Sequence, residues 1–164
     1  MELHEKYINQ TLRDMKKIIL IAAMVLGCAL AASAQPRAIG LRGGYGAEIS
    51  YQHTLGDKFI QADLGLVGKG ITATATYNWM LANPQWTDRG EWGFYAGPGA
   101  ALGLYGNSFC AAVAGQVGLE YTFWFPLQLS LDLRPQIGFW AGKGAAGFYG
   151  VDSFCPTVSV RYRF

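Results

Sequence analysis

Leu127–Phe139 reads LQLSLDLRPQIGF. Its odd-numbered positions, Leu127, Leu129, Leu131, Leu133, Pro135, Ile137 and Phe139, are all apolar. Its even-numbered positions are Gln128, Ser130, Asp132, Arg134, Gln136 and Gly138. A β-strand sends alternate side chains to opposite faces, so this segment has one unbroken apolar face and one polar, charged face. At 13 residues it exceeds the usual globular strand and suits a tilted strand that crosses a bilayer, with lipid outside and a polar lumen inside.

The rest of the chain supports the same reading. Of 164 residues, 51% are hydrophobic and only 15% charged, against roughly 25% in soluble domains. No apolar run after residue 35 approaches the length of a membrane helix. High hydrophobicity with alternation and 22 Gly points to the other membrane-spanning solution, a closed barrel. A net charge of +2 is too small to suggest nucleic acid as a partner.

At the N-terminus, Lys16-Lys17 precede the apolar run 18–32 and the small-residue site Ala32-Ser33-Ala34. This is the layout of an export signal cleaved before Gln35. Residues 15–34 are therefore read as a signal peptide that starts at Met15, and residues 1–14 as a non-native or mis-started extension. Residues 35–164 are read as the barrel. Val25-Leu26-Gly27-Cys28 offers lipoprotein processing as a competitor, although ALAASAQ beyond it does not resemble a polar tether. Removal of residues 1–34 takes away four of thirteen basic and three of eleven acidic residues, leaving a nearly neutral chain.

Alternation places the first four strands at Arg37–Gly43, Ala47–His53, Lys58–Leu66 and Ile71–Met80. The remaining four are placed at Glu91–Leu104, Cys110–Phe123, Leu127–Phe139 and Phe154–Phe164. The expectation is an all-β, eight-stranded, antiparallel up-and-down transmembrane barrel. An even strand number puts both ends of the chain on one side, which is periplasmic in outer-membrane barrels. Residues 81–90 then form an unusually long inner connection, and Gly142–Asp152 reads as a Gly-rich outer loop. Aromatic residues gather at the periplasmic strand ends: Tyr77, Trp79, Trp92, Phe94, Tyr121, Phe123, Trp124, Phe125, Tyr162 and Phe164. The inner face collects Arg42, Glu48, Asp63, Glu91, Glu120, Asp132, Arg134, Arg161 and Arg163, four Arg against five acids. Such near-balance suits a lumen cross-linked by ion pairs, whereas a soluble barrel has the opposite polarity.

The export signal, the eight alternating strands and the ending VSVRYRF resemble the small outer-membrane barrels of the OmpA/OmpX type, over about residues 36–164. The most specific element is the last strand, with Phe164 at the terminus and Tyr162, Val160 and Val158 at every second position behind it. The resemblance implies that Val158–Phe164 is read by the barrel-assembly machinery during insertion. Outer-membrane lipid and lipopolysaccharide are the expected surroundings, and a monomer is the expected state. Pro156 interrupts the pattern, so pairing of this strand is expected only below it.

Chemistry-bearing residues are few. Cys110 and Cys155 end two copies of Ser-Phe-Cys and point into the lumen by parity. Export would favour a disulfide between them. One strand separates theirs, however, placing about 10 Å between strand axes where a bridge needs Cα atoms within about 7 Å, and both states stay open. His53 is the only His after residue 34 and falls at a periplasmic turn, a poor basis for a hydrolase triad or a metal site. Carboxylates such as Glu120 and Asp132 lie near Arg134 and Arg161 and read as salt bridges rather than acid–base partners. No catalytic, cofactor or metal residue is assigned. The leading expectation is a structural or interaction barrel with a side-chain-filled lumen; a narrow channel and, behind it, a lipid-modifying enzyme are the alternatives.

Overall fold

The computed structural model describes residues 36–44, 46–142, 144–152 and 156–164. The expected signal segment, Cys28 and Cys155 lie outside the described residues. Ten β-strands follow in order: β1 (Arg37–Gly43), β2 (Ala47–Leu55), β3 (Lys58–Val67), β4 (Gly70–Ala82), β5 (Glu91–Tyr105), β6 (Ser108–Thr122), β7 (Leu127–Leu133), β8 (Gln136–Gly142), β9 (Ala145–Asp152) and β10 (Thr157–Arg163). All pairings are antiparallel, and no helix occurs among the described residues.

The ten segments make eight staves. β7 and β8 are one stave interrupted at Arg134-Pro135. Pro135 has no N–H to give the ladder, yet its carbonyl accepts from the Gly115 amide at 2.9 Å. Register is kept across the break, Val117 facing Leu133 and Ala114 facing Gln136. β9 and β10 form the last stave, pairing with β8 and β7 respectively. β10 also pairs with β1, and the sheet closes into an eight-stranded barrel, with β9 paired on β8 alone among the described residues.

A circuit of directly opposed residues runs from Arg161 through Gly40, Ser50, Asp63, Thr74, Ala101, Ala112 and Gly138 to Tyr149. It returns to its own stave twelve residues from its start, because tilted strands shift register at every step. Part of that offset comes from register irregularities between Thr157 and Tyr149. A shear of this size in eight staves corresponds to a strand tilt of about 40°.

The two faces divide by chemistry. Leu131 is 52% exposed and its neighbour Asp132 is 2% exposed. Leu41, Ile49, Leu64, Leu66, Ile71, Leu102, Val113, Val117, Ile137, Val158 and Val160 line the exposed outer wall. The buried inner wall holds Arg42, Ser50, Gln52, Gln61, Asp63, Thr74, Thr76, Asn78, Gln116, Glu120, Gln128, Ser130, Asp132, Arg134, Ser159 and Arg161. The core is thus polar and the surface apolar, the reverse of a water-soluble barrel.

Two expectations change. Residues 142–152 are not a loop: β8 runs to Gly142, a turn with Gly144 at φ 79° follows, and β9 pairs along β8. Pairing therefore continues above Pro156. Ala145–Asp152 has no apolar–polar alternation to announce a strand, and its register on β8 shifts between Gln136 and Gly138. Aromatic residues also occur at both ends of the barrel rather than at one. Tyr105, Phe109, Phe139, Trp140 and Phe148 lie away from the termini, with Phe148 89% exposed.

Three of the turns at that far end are tight, with Gly68, Gly106 and Gly144 all at positive φ. Residues 83–90, at the end where β1 begins and β10 ends, are the longest connection among the described residues. Trp86 packs on Trp92 and Phe94, with centroids 5.4 and 5.5 Å away, and the Tyr121 hydroxyl donates to the Arg89 carbonyl at 2.8 Å. These contacts pin the segment to the wall.

Candidate functional site

Five of the nine inner-face charges form one connected cluster. Arg42 reaches Glu48 at 2.6 Å and Asp132 at 2.5 Å, and it donates to the Thr157 hydroxyl at 2.6 Å. Arg134 reaches Glu48 at 2.8 Å and Asp63 at 2.5 Å. The cluster ties together β1, β2, β3, β7 and β10 together with the β7–β8 break, so it spans the lumen instead of following one ladder. Alternation sets the direction of each side chain, and the break at Arg134-Pro135 leaves Arg134 on the inner parity. Three carboxylates share two guanidinium groups. Isolated charges buried in this way would each cost several kcal/mol, and pairing plus hydrogen bonds offset that cost.

A ladder of neutral groups continues from the cluster. Asp63 accepts from Gln61 at 2.9 Å, Gln61 accepts from Gln116 at 3.4 Å, and Gln116 accepts from the Thr76 hydroxyl at 2.6 Å and from Asn78 at 3.4 Å. Tyr95 donates to Asp132 at 3.3 Å, while its ring meets Phe59 edge-on at 5.0 Å. Phe59 has the inner parity of β3 but breaks its polar pattern. Together Phe59 and Tyr95 form an apolar plug within a polar core. Tyr95 has room because a Cβ at Gly118 would stand 2.5 Å from its ring and hydroxyl.

The other four charges stand apart from the cluster. Arg161 is fully buried and donates to three hydroxyls, those of Ser50, Ser130 and Ser159, at 3.0, 3.0 and 3.2 Å. Glu120 is buried and accepts from Gln52 at 3.2 Å. Glu91 is exposed and Arg163 half-buried, both at the terminal end of the barrel. Glu91 therefore belongs to the rim and not to a sealed lumen, because β5 begins there and nothing covers the first residue of the stave.

Cys110 is half-buried on β6 and lines a far-end hollow of about 270 Å³ with Arg42, Glu48, Arg134, Tyr105 and Tyr149. Its pairing with Cys155 falls outside the described residues. His53 sits half-buried on the outer side of β2, opposite Arg37 and Ile60. Val158, Val160, Tyr162 and Phe164 all face outward from β10 and the residue after it. Phe164 exchanges backbone hydrogen bonds with Arg37 at 2.8 and 3.0 Å, closing the seam at the last residue.

Alternation along β3, β4 and β6 puts Gln61, Thr76, Asn78 and Gln116 on the inner face, but nothing in the sequence signals that they form one ladder. Partners such as Arg134 and Asp63 meet across the lumen, and only barrel closure brings them together. No protein-family model, curated protein or solved structure matches the chain.

Proposed function

We propose that this chain is an integral β-barrel of the bacterial outer membrane, monomeric, with a lumen filled by its own side chains. In this reading it is a structural or interaction protein without catalytic activity. Its far-end hairpins face the exterior among lipopolysaccharide, and its closing strand is the segment handled by the assembly machinery. The observation that carries the proposal is the inverted polarity: aliphatic side chains outside, and Arg42, Asp63, Asp132 and Arg134 buried within.

Aromatic placement supports the same reading. Phe109 and Tyr121 stand twelve residues apart on β6, with an aromatic group around each. At ~3.3 Å per residue and ~40° tilt this separates the groups by about 30 Å along the barrel axis, close to a hydrocarbon core. Aromatic girdles are expected at both interfaces of such a barrel. The test is membrane fractionation followed by gel mobility of unheated and boiled samples. A heat-sensitive band in the outer-membrane fraction supports the assignment, and a soluble protein with one mobility refutes it.

A narrow pore is the second reading, favoured by the hollows at both ends. Buried Ser50, Gln61, Gln116, Ser159 and Arg161 occupy the lumen between them and support a closed one. Single-channel recording in planar bilayers separates the two.

A further inference from the structure

The terminal end of the barrel opens into a hollow of about 820 Å³ that the ion-pair cluster does not use. This volume lies within the ~300–1,000 Å³ range of small-molecule sites. Its innermost wall holds Gln52, Gln128 and Glu120, which are 2%, 3% and 7% exposed. Gln52 gives its amide N–H to Glu120, which fixes the orientation of that amide and turns its carbonyl oxygen away. That oxygen, Gln52 Oε1, is buried without a hydrogen-bond donor, and so is Gln128 Oε1, whose side chain approaches the same carboxylate. Orphaned buried acceptors are costly, and two beside a buried carboxylate mark a place where donors are missing.

The mouth has the same bias. Asp57, Asp88 and Glu91 join Glu120 around the hollow, against Lys58 and Arg163. Two of these acids are spaced for a two-headed ligand. Glu91 faces Thr122, and Glu120 lies two residues farther along the same strand. The two carboxylates are thus diagonal neighbours, with Cα atoms about 7–8 Å apart. Trp92 and Met80 line the same space and offer an apolar and aromatic wall. Trp92 Nε1 is itself buried and unpartnered. A stem of methylenes fits such a wall, and an ammonium near an indole face gains further attraction.

We propose that this hollow binds a short α,ω-diamine or a longer linear polyamine, with one ammonium at Glu120, Gln52 and Gln128 and a second at Glu91. The site is entered from the end where β1 begins and β10 ends, and its chemistry does not depend on which membrane surrounds the barrel.

The test is titration of putrescine into the purified, folded protein in neutral detergent micelles at constant ionic strength, followed by amide NMR and calorimetry. Sodium chloride and the diacid glutarate are the controls. Saturable shifts centred on residues 52, 91, 120 and 128, absent with either control, support the site. Glu120→Gln is expected to weaken binding at least tenfold. Glu91→Gln, at an exposed position where folding is not at stake, is expected to weaken it several-fold and to remove the preference for diamine over monoamine. Absence of saturation at millimolar putrescine overturns the proposal, as do equal shifts with sodium chloride or undiminished binding by Glu91→Gln. Gel mobility of each variant confirms that it is folded before it is titrated.

Discussion

Replacement of Arg42 by Met removes the guanidinium that holds Asp132 and shares Glu48 with Arg134. Met keeps much of the apolar stem and most of the volume, so lost packing contributes little. After the change, three carboxylates face one cation. Glu48 retains Arg134, but Asp132 is left with only the hydroxyls of Thr157 and Tyr95. Breaking a buried pair from one side costs about 3–5 kcal/mol. Asp132→Asn perturbs the same contact from the other side with a different outcome. The amide oxygen still accepts from Arg42, and the cluster becomes two carboxylates on two guanidiniums. The loss is then one charge-assisted bond weakened to a neutral one, about 1 kcal/mol. The double variant lacks both the orphaned carboxylate and its partner, so it is expected to be more stable than Arg42→Met alone. The resulting coupling energy is about 2 kcal/mol. Urea unfolding in detergent, read by tryptophan fluorescence and by gel mobility, measures all three. If Arg42→Met costs under about 1 kcal/mol and shows no coupling to Asp132→Asn, lumenal water hydrates these charges and they behave as surface pairs. Such a result means that these ion pairs do not hold the barrel together.

Val113, 70% exposed on the outer wall between the aromatic groups of β6, tests the surroundings. Val113→Arg is expected to cost about 2–4 kcal/mol for refolding into phospholipid vesicles, whereas a change within about 0.5 kcal/mol means water on that face. Gly97 has no room for a methyl group, since a Cβ there would sit 1.9 Å from the Tyr77 carbonyl oxygen, while at Gly115 the nearest atom is a Pro135 side-chain carbon at 3.9 Å. Gly97→Ala is therefore expected to destabilise by about 1–3 kcal/mol in the same unfolding assay, with Gly115→Ala within about 0.5 kcal/mol. Deletion of Phe164 removes both seam hydrogen bonds to Arg37 and the ring stacked on Tyr162. A fall in the heat-sensitive, folded fraction recovered from cell envelopes is expected, and an unchanged fraction argues against a role for the terminal residue in insertion.

Much of this architecture could be read from alternation alone. Leu127–Phe139 announced its two faces residue by residue, and even the break at Pro135 does not disturb them, because proline deletes a donor without changing the parity of its neighbours. The inward direction of Arg42, Asp63, Asp132 and Arg134 followed from the same rule. Their partners did not, because register accumulates around eight tilted staves and brings together residues with no local relation. Ala145–Asp152 was hidden for a different reason. A strand with small residues and a register slip carries no period for a reader to detect, so Gly147 and Gly150 suggested a loop. Phe59 was missed because one aromatic among polar inner residues looks like noise until Tyr95 is found against it.

The seam between β1 and β10 has a consequence for biogenesis. The first stave acquires its second neighbour only from β10, the last strand of the barrel, so one row of its backbone donors and acceptors stays vacant until β10 arrives. Until then the protein has two unsatisfied borders and a sheet greasy on one side, a combination that invites self-association. Closure of the ring therefore waits for β10, and whatever shields the first strand until then would matter more for yield than any single contact in the finished ring.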